Sequence, residues 1–198
     1  MLSRTHTGPA LYLILALAGL VPVASPALAR PVVYVMDTSG STVAFETDFG
    51  QGPIRGTMPV DAADLKLDFD TVANSQISVA LNARGATASM PFAAEAMKGA
   101  TVLDTTRHPR LTFRSTAVRK QGDGATVKGN LTIRGVTRPV TLAATIYRQA
   151  GSGAGDRSRL TVRLIGRVKR SDYGATGWSD LVGDEVRLDI RARIHTAP

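Results

Sequence analysis

Residues 127–147, VKGNLTIRGVTRPVTLAATIY, decide the fold. Two runs of alternating apolar and polar side chains flank a short break, GVTRP, at residues 135–139. A period of two is typical of a strand with one apolar and one polar face. Gly and Pro in the break favour reversal of the chain. The segment therefore predicts an antiparallel hairpin that is amphipathic across its whole width.

The amino end has a different composition. Residues 1–29 carry Arg4 and no acidic residue, residues 11–24 are almost entirely apolar, and residues 27–29 read Ala-Leu-Ala. This is the layout of a secretory signal peptide. The alternative is a membrane anchor, but the apolar run is short for a span and contains Pro22. We therefore expect a signal peptide at 1–29 and an exported, periplasmic domain at 30–198.

The chain is basic and contains no cysteine. Its formal net charge is +8, which becomes +7 without the leader. The charges are scattered and form no basic cluster interleaved with aromatics, so we expect no nucleic-acid partner. A solvated outer face is one interpretation of the charge, and attraction to an anionic membrane surface is the other. The lack of cysteine excludes thiol nucleophiles, thiolate metal sites and a lipid-attachment cysteine.

The alternating pattern recurs along the chain. Residues 159–170 and 184–195 repeat it, and residues 31–36 and 41–47 predict two strands around a turn at 37–40. Residues 89–98 break the pattern and predict one short helix, with Ser89 as its cap and Gly99 at its end.

Strands with one apolar face each pack as a sandwich or close into a barrel. About eight strands enclose an interior that side chains fill or that holds one slim ligand. The apolar faces include small residues, which we expect to leave room inside: Gly129, Ala144, Gly166 and Ala192.

No catalytic or metal-binding pattern is present. The two histidines after the leader, His108 and His195, have no metal-ligand spacing, and no GxSxG motif occurs. Asp184 and Glu185 are adjacent on a predicted strand, so they point to opposite faces. We expect no catalytic residue, no metal, no cofactor and no enzyme activity. An apolar interior instead indicates a binder of apolar molecules. Roughly ten buried carbons at about 0.8 kcal/mol each supply about 8 kcal/mol before ordering costs, the scale of micromolar affinity.

Several segments resemble a known family. They are residues 41–45 (STVAF), 54–56 (IRG), 108–115 (HPRLTFRS), 128–140 (KGNLTIRGVTRPV), 170–174 (RSDYG) and 181–186 (LVGDEV). Together they resemble the YceI-like family of exported bacterial proteins. The resemblance implies a single, all-β, antiparallel lipocalin-like barrel of about eight strands with one short helix. It also implies a long isoprenoid chain inside, from a polyprenyl phosphate or an isoprenoid quinone. Tyr173 stands where relatives have Phe, and residues 91–99 are richer in Ala.

The apolar faces and the resemblance together predict the lining of a ligand tunnel. The residues are Phe45, Val79, Phe92, Met97, Leu111, Phe113, Leu131, Leu142, Val162, Leu164, Tyr173, Trp178, Leu188 and Ile190. Arg170 and Asp172 are candidates for a head-group contact or for a structural pair. Tyr173 and Trp178 either rim the mouth or plug the barrel.

The function predicted from the sequence is a periplasmic, non-catalytic carrier of an isoprenoid lipid. One alternative is an enzyme or accessory protein that acts on a lipid or quinone, and another is a surface interaction protein with a filled core. Transient contact with a membrane surface and a homodimer both remain open.

Overall fold

The structure is a computed structural model that describes residues 30–198. The predicted signal peptide lies outside this range. The described chain forms ten strands and one helix: β1 Val32–Phe49, β2 Gly52–Thr57, β3 Val60–Leu67, β4 Gln76–Asn82, β5 Thr87–Ala88, α1 Pro91–Lys98, β6 Arg110–Gln121, β7 Gly124–Ile133, β8 Val136–Arg148, β9 Arg159–Lys169 and β10 Val182–Thr196.

Eight of these strands close into one antiparallel barrel. Their order is β10-β9-β8-β7-β6-β4-β3-β1, and β10 pairs again with β1 to close the ring. The short strands β2 and β5 extend from the second half of β1. The predicted all-β barrel with one short helix is therefore confirmed. Closure leaves the eight strands without a free sheet edge except where neighbouring strands diverge.

The hairpin at 127–147 turns earlier than its sequence pattern predicts. The turn is Arg134–Gly135, with φ of 52° and 76°, and β8 begins at Val136. Positive φ at both central residues matches the right-handed twist of a two-residue hairpin. Pro139 lies inside β8 opposite Asn130. It is tolerated there because β9 pairs with β8 only from Leu142 onward. The side of β8 that faces β9 makes no strand–strand hydrogen bonds at Pro139, so the missing N–H is not needed.

β1 is one continuous strand, so the predicted turn at 37–40 is wrong. These residues form a bulge, because Asp37 pairs with Arg193 while Thr42 pairs with Arg191. The Asp37 carboxylate accepts hydrogen bonds from the Ser39 hydroxyl (2.6 Å) and the Gly40 N–H (2.9 Å), which lower the pKa of Asp37. A bulge of this kind bends the strand without ending it.

The helix α1 begins one residue later than predicted, because Met90 and not Ser89 is its N-cap. Pro91 occupies its first turn, where a missing N–H costs nothing, and Gly99 ends it as predicted. Ser89 does not cap the helix. Its hydroxyl instead accepts a hydrogen bond from the Arg55 N–H at 3.2 Å, which ties this segment to β2.

Candidate functional site

The interior of the barrel is an elongated apolar cavity of about 410 Å³. Its wall along β10 runs from Val186 to Ile194 on alternate residues. Eight residue steps correspond to about 26 Å along a strand, or roughly 20 Å along the axis of a tilted barrel. The cavity is therefore long and narrow, the shape of a hydrocarbon chain.

Many side chains that point inward are only partly buried. Phe45, Phe113, Leu164, Leu188 and Ile190 all line the cavity, and all retain accessible surface. In a barrel filled by its own side chains these positions would be fully buried. The residual surface shows that the centre of the barrel is not packed.

Glycines in the wall explain how large side chains leave the centre open. A Cβ atom on Gly129 would clash with the Phe113 ring, and one on Gly56 would clash with the Phe45 ring. The outer edges of these rings thus lie over a glycine on a neighbouring strand. The expected room inside the barrel is present, but it does not lie at Gly129 and Gly166 themselves, since Phe113 and Leu142 occupy those positions.

One end of the barrel is closed. Tyr34, Leu65, Leu160 and Ile194 form a buried cluster there. The Tyr34 ring packs edge-on against Phe69 at 5.8 Å, and its hydroxyl donates a hydrogen bond to a backbone carbonyl at 2.9 Å. Burial raises the pKa of Tyr34. This closed end separates the apolar interior from water.

The opposite end, which we call the mouth, is formed by α1 and residues 170–183. Phe92 from α1 is 62% exposed, and Trp178 and Leu181 from the loop are 58% and 57% exposed. All three also border the cavity. The mouth is therefore the place where the apolar interior reaches the protein surface.

All fourteen residues predicted to line a tunnel border the cavity. Their contact with a ligand stays a prediction. Tyr173 and Trp178 differ in position: Trp178 is on the rim, whereas Tyr173 is 2% exposed and packs in the wall with Val140 and Leu142. Burial raises the pKa of Tyr173, and the nearby negative charge of Asp172 raises it further by a smaller amount.

Arg170 organises the loop and does not pair with Asp172. Its guanidinium donates hydrogen bonds to the carbonyls of Gly183 (3.0 Å), Ala175 (2.7 Å), Gly177 (2.6 Å) and Val182 (2.9 Å). Four of its five donors are therefore committed to backbone carbonyls. Among the described residues, Arg170 and Asp172 form no ion pair, so the predicted structural pair is absent. One guanidinium N–H of Arg170 remains for contact with a ligand head group.

Asp172 lies on the exposed side of the same turn, and its backbone carbonyl accepts a hydrogen bond from Arg138 at 3.2 Å. Asp184 is the carboxylate that stabilises this loop. It accepts hydrogen bonds from the Ser171 N–H (2.9 Å) and from the Ser171 hydroxyl (2.8 Å). The Ser171 N–H in particular lowers the pKa of Asp184.

The sequence interpretation missed several lining residues. Val186 and Ile194 share the alternation of Leu188 and Ile190, so the signal was present. Leu181 lies in a loop and carried no periodic signal. Ala88 in β5 and Ala96 in α1 also line the cavity, and such small side chains gave no indication of a pocket.

Within residues 30–198, no group of three His, Cys, Asp or Glu side chains is placed to hold a metal ion. The single described helix, at eight residues, is too short to cross a bilayer.

The chain matches the model of the YceI-like domain over residues 34–194. A UPF0312 protein of Vibrio vulnificus (strain YJ016) is 30% identical over 125 residues, covering 61% of this chain and 66% of that protein. Protein YceI of Shigella flexneri is 32% identical over 97 residues, covering 49% of this chain and 51% of that protein. The matched regions thus span just under two thirds and about half of these relatives.

Two solved structures share the architecture. Burkholderia cenocepacia BcnA superimposes with a TM-score of 0.72 at 22% identity, covering 80% of this chain and 99% of that one. A polyisoprenoid binding domain from Saccharophagus degradans superimposes with a TM-score of 0.60 at 12% identity, covering 84% and 99%. At these identities the likeness shows the fold. Since the domain model spans nearly the whole barrel, the chain belongs to the YceI-like family.

Proposed function

We propose that the protein binds the apolar chain of an isoprenoid lipid, a polyprenyl phosphate or an isoprenoid quinone, and carries it in the periplasm without chemical change. One observation carries the proposal: the inward-facing side chains of the central barrel surround a long apolar cavity that opens at the mouth. Such a cavity favours ligands that are long and apolar, as an isoprenoid chain is, and binding of such a ligand needs no catalytic group.

The volume is sufficient for useful affinity. A carbon group is similar in size to a water molecule, which occupies about 30 Å³ in the liquid, so 410 Å³ holds at least about a dozen carbon groups. At about 0.8 kcal/mol each, their burial contributes roughly 10 kcal/mol before ordering costs. Subtracting about 4 kcal/mol for the loss of ligand freedom leaves about 6 kcal/mol, which corresponds to a Kd of tens of micromolar.

The structural neighbour from Saccharophagus degradans, which is described as a polyisoprenoid binding domain, supports this class of ligand. The signal-peptide pattern of residues 1–29 supports a periplasmic location.

The polar groups at the cavity wall favour binding over catalysis. Asp68 is held by the N–H groups of Asp70 (3.0 Å) and Thr71 (2.7 Å) and by the Asn74 amide (2.9 Å). Arg170 is committed to loop carbonyls, as described above. These groups stabilise loops at the two ends of the barrel, and neither is paired with a nucleophile. The alternative, action on a lipid or quinone as an enzyme or accessory, has no such observation in its favour.

The first test is extraction. Protein purified from its native host is extracted with organic solvent, and the extract is analysed by mass spectrometry. We expect a stoichiometric isoprenoid.

The second test is titration with a ubiquinone analogue that carries two isoprene units. Trp178, the single tryptophan, reports binding by fluorescence quenching. Ala144 faces the cavity and its neighbour Ala143 is exposed on the outer face. We expect Ala144→Phe to weaken binding at least tenfold, and Ala143→Phe to leave it unchanged. Recovery of no isoprenoid, together with equal affinity of the two variants, would refute the proposal.

A further inference from the structure

The mouth carries an unusual set of exposed apolar side chains. Phe92, Trp178 and Leu181 come from two separate segments, α1 and the loop before β10, and each is more than half exposed. Among residues 30–198, the other large exposed apolar residues lie on the first part of β1 (Val32, Val33 and Val35) and on the outer face of β8 and β9 (Tyr147 and Ile165). Three large apolar tips therefore surround the opening of an apolar cavity.

The backbone holds Trp178 outward at an energetic cost. Its φ is +63°, in the left-handed region that a bulky side chain rarely adopts. The conformation is fixed because the Trp178 carbonyl accepts hydrogen bonds from the N–H groups of Leu181 (3.0 Å) and Val182 (2.8 Å). Gly177, just before it, is fastened by its own N–H to the Thr101 carbonyl at 2.8 Å. Strain that is maintained in this way tends to occur at functional sites.

The charges beside these side chains are mixed. Glu95 and Lys98 on α1 form an ion pair at 3.2 Å, and Asp180 lies next to Leu181. Asp48 and Asp184 border the groove beside the same loop. The net positive charge of the chain is therefore not concentrated at the mouth. This arrangement does not favour electrostatic attraction of the mouth to an anionic surface.

The apolar rim is also too small for a stable protein interface. Fully burying three such side chains covers a few hundred Å², since an aromatic side chain buries about 150–250 Å². A stable protein partner typically covers about 800 Å² on each side. Trp is instead typical of the interfacial layer of a membrane, and Trp, Phe and Leu together are typical of segments that lie in that layer.

We propose that the mouth inserts Phe92, Trp178 and Leu181 into the interfacial layer of an electrically neutral lipid bilayer. The inference rests on the proposed function, because insertion joins the cavity to the acyl region of the membrane. A lipid chain then moves between bilayer and barrel without crossing water. The rim residues continue the cavity wall outward, so one apolar surface extends from Ile190 deep in the barrel to Trp178 at its edge.

The test uses unilamellar vesicles of phosphatidylcholine and the intrinsic fluorescence of Trp178. We expect a blue shift on vesicle addition, quenching by lipids that carry a nitroxide near the headgroup, and little change between 0.1 M and 1 M NaCl. Phe92→Ser and Leu181→Ser should each weaken vesicle partitioning by roughly tenfold, the effect of removing one large inserted side chain. The matched controls Tyr147→Ser and Ile165→Ser, exposed on the barrel side, should leave it unchanged.

Three results would overturn the inference: no blue shift, equal loss in the rim and control variants, or binding that requires anionic lipid and disappears in 1 M NaCl. Ala144→Phe distinguishes this inference from the proposed function, with Ala144→Leu as a milder replacement if the larger one unfolds. The inference expects vesicle partitioning to survive when quinone uptake is lost. Normal quinone uptake in solution without vesicle binding would sink the inference and leave the proposed function standing.

Discussion

The substitution Gly129→Ala tests how the barrel keeps its centre open. The new Cβ atom would clash both with two atoms of the Phe113 ring and with the backbone carbonyl oxygen of Arg114. The ladder between β6 and β7 must therefore shift locally at Arg114, and the ring must move away from the wall and toward the cavity. One added methyl group in a well-packed wall typically costs about 1–3 kcal/mol.

The displaced ring also takes space from the ligand. If its edge occupies the room of two or three carbon groups, at about 0.8 kcal/mol each, binding weakens by roughly 2 kcal/mol. That free energy corresponds to about a thirtyfold rise in Kd. Stability is measured by urea unfolding followed by Trp178 fluorescence, and affinity by titration with the two-isoprene ubiquinone analogue.

A second substitution makes the test specific. Phe113→Leu removes the ring edge but leaves the contact with the Arg114 carbonyl, so the double variant should recover part of the lost stability and more than half of the lost affinity. Gly153→Ala, in a loop where the new methyl meets nothing, is the control and should change neither quantity. The reasoning is refuted if Gly129→Ala behaves like the control, or if the two substitutions are additive in a double-mutant cycle.

Three further outcomes are expected. Arg170→Met leaves four loop carbonyls without their charged donor and should lower the free energy of unfolding, measured by urea denaturation, by about 3–5 kcal/mol. The control Arg167→Met, at a side chain that is 71% exposed, should change that free energy little. Hydrogen bonds from backbone and side chain lower the pKa of Asp68, so its contribution is present above the unfolded value of about 3.9 and is lost as pH falls through the lower folded pKa. Urea unfolding between pH 2 and pH 7 should show a shallower acid decline for Asp68→Asn, and an unchanged slope would contradict this. Trp178→Asn relieves the left-handed backbone and should raise stability by up to about 1 kcal/mol in thermal unfolding, and a clear loss would show that the Trp side chain stabilises the fold.

The regular part of the barrel was predictable because one physical signal controls it. In β9 and β10, alternation assigned Val162, Leu164, Leu188 and Ile190 to the interior, and the structure places them there. The period of two survives because one face meets apolar groups and the other meets water. The same alternation extends to Val186 and Ile194, which also line the cavity.

Backbone geometry was less predictable, because several local arrangements satisfy the same residues. Pro139 indicated a break, but the strand continues past it where no ladder partner requires its N–H. Ser89 had the identity of a helix cap, but a tertiary hydrogen bond with Arg55 competes for its hydroxyl. The partners of Arg170 are backbone carbonyls, which carry no sequence signal at all.

The space inside the barrel was the hardest property to predict. Small residues such as Gly129 indicated room, but the room lies elsewhere, because Phe113 occupies the place of the missing side chain. Cavity volume depends on the direction each large side chain takes, and that direction is set by pairs of residues on neighbouring strands. A single sequence shows each residue but not its cross-strand neighbour.

The pairing of β1 with β10 has a consequence for how the chain acquires its shape. These strands are about 150 positions apart, yet eleven residue pairs join them, as many as join β9 and β10, whereas β1 meets β3 over only three pairs. Ring closure must therefore wait for the final strand, and contacts of such large separation slow folding. Until that strand docks, one edge of β1 is unpaired, and the barrel remains an open sheet that is exposed to misassociation.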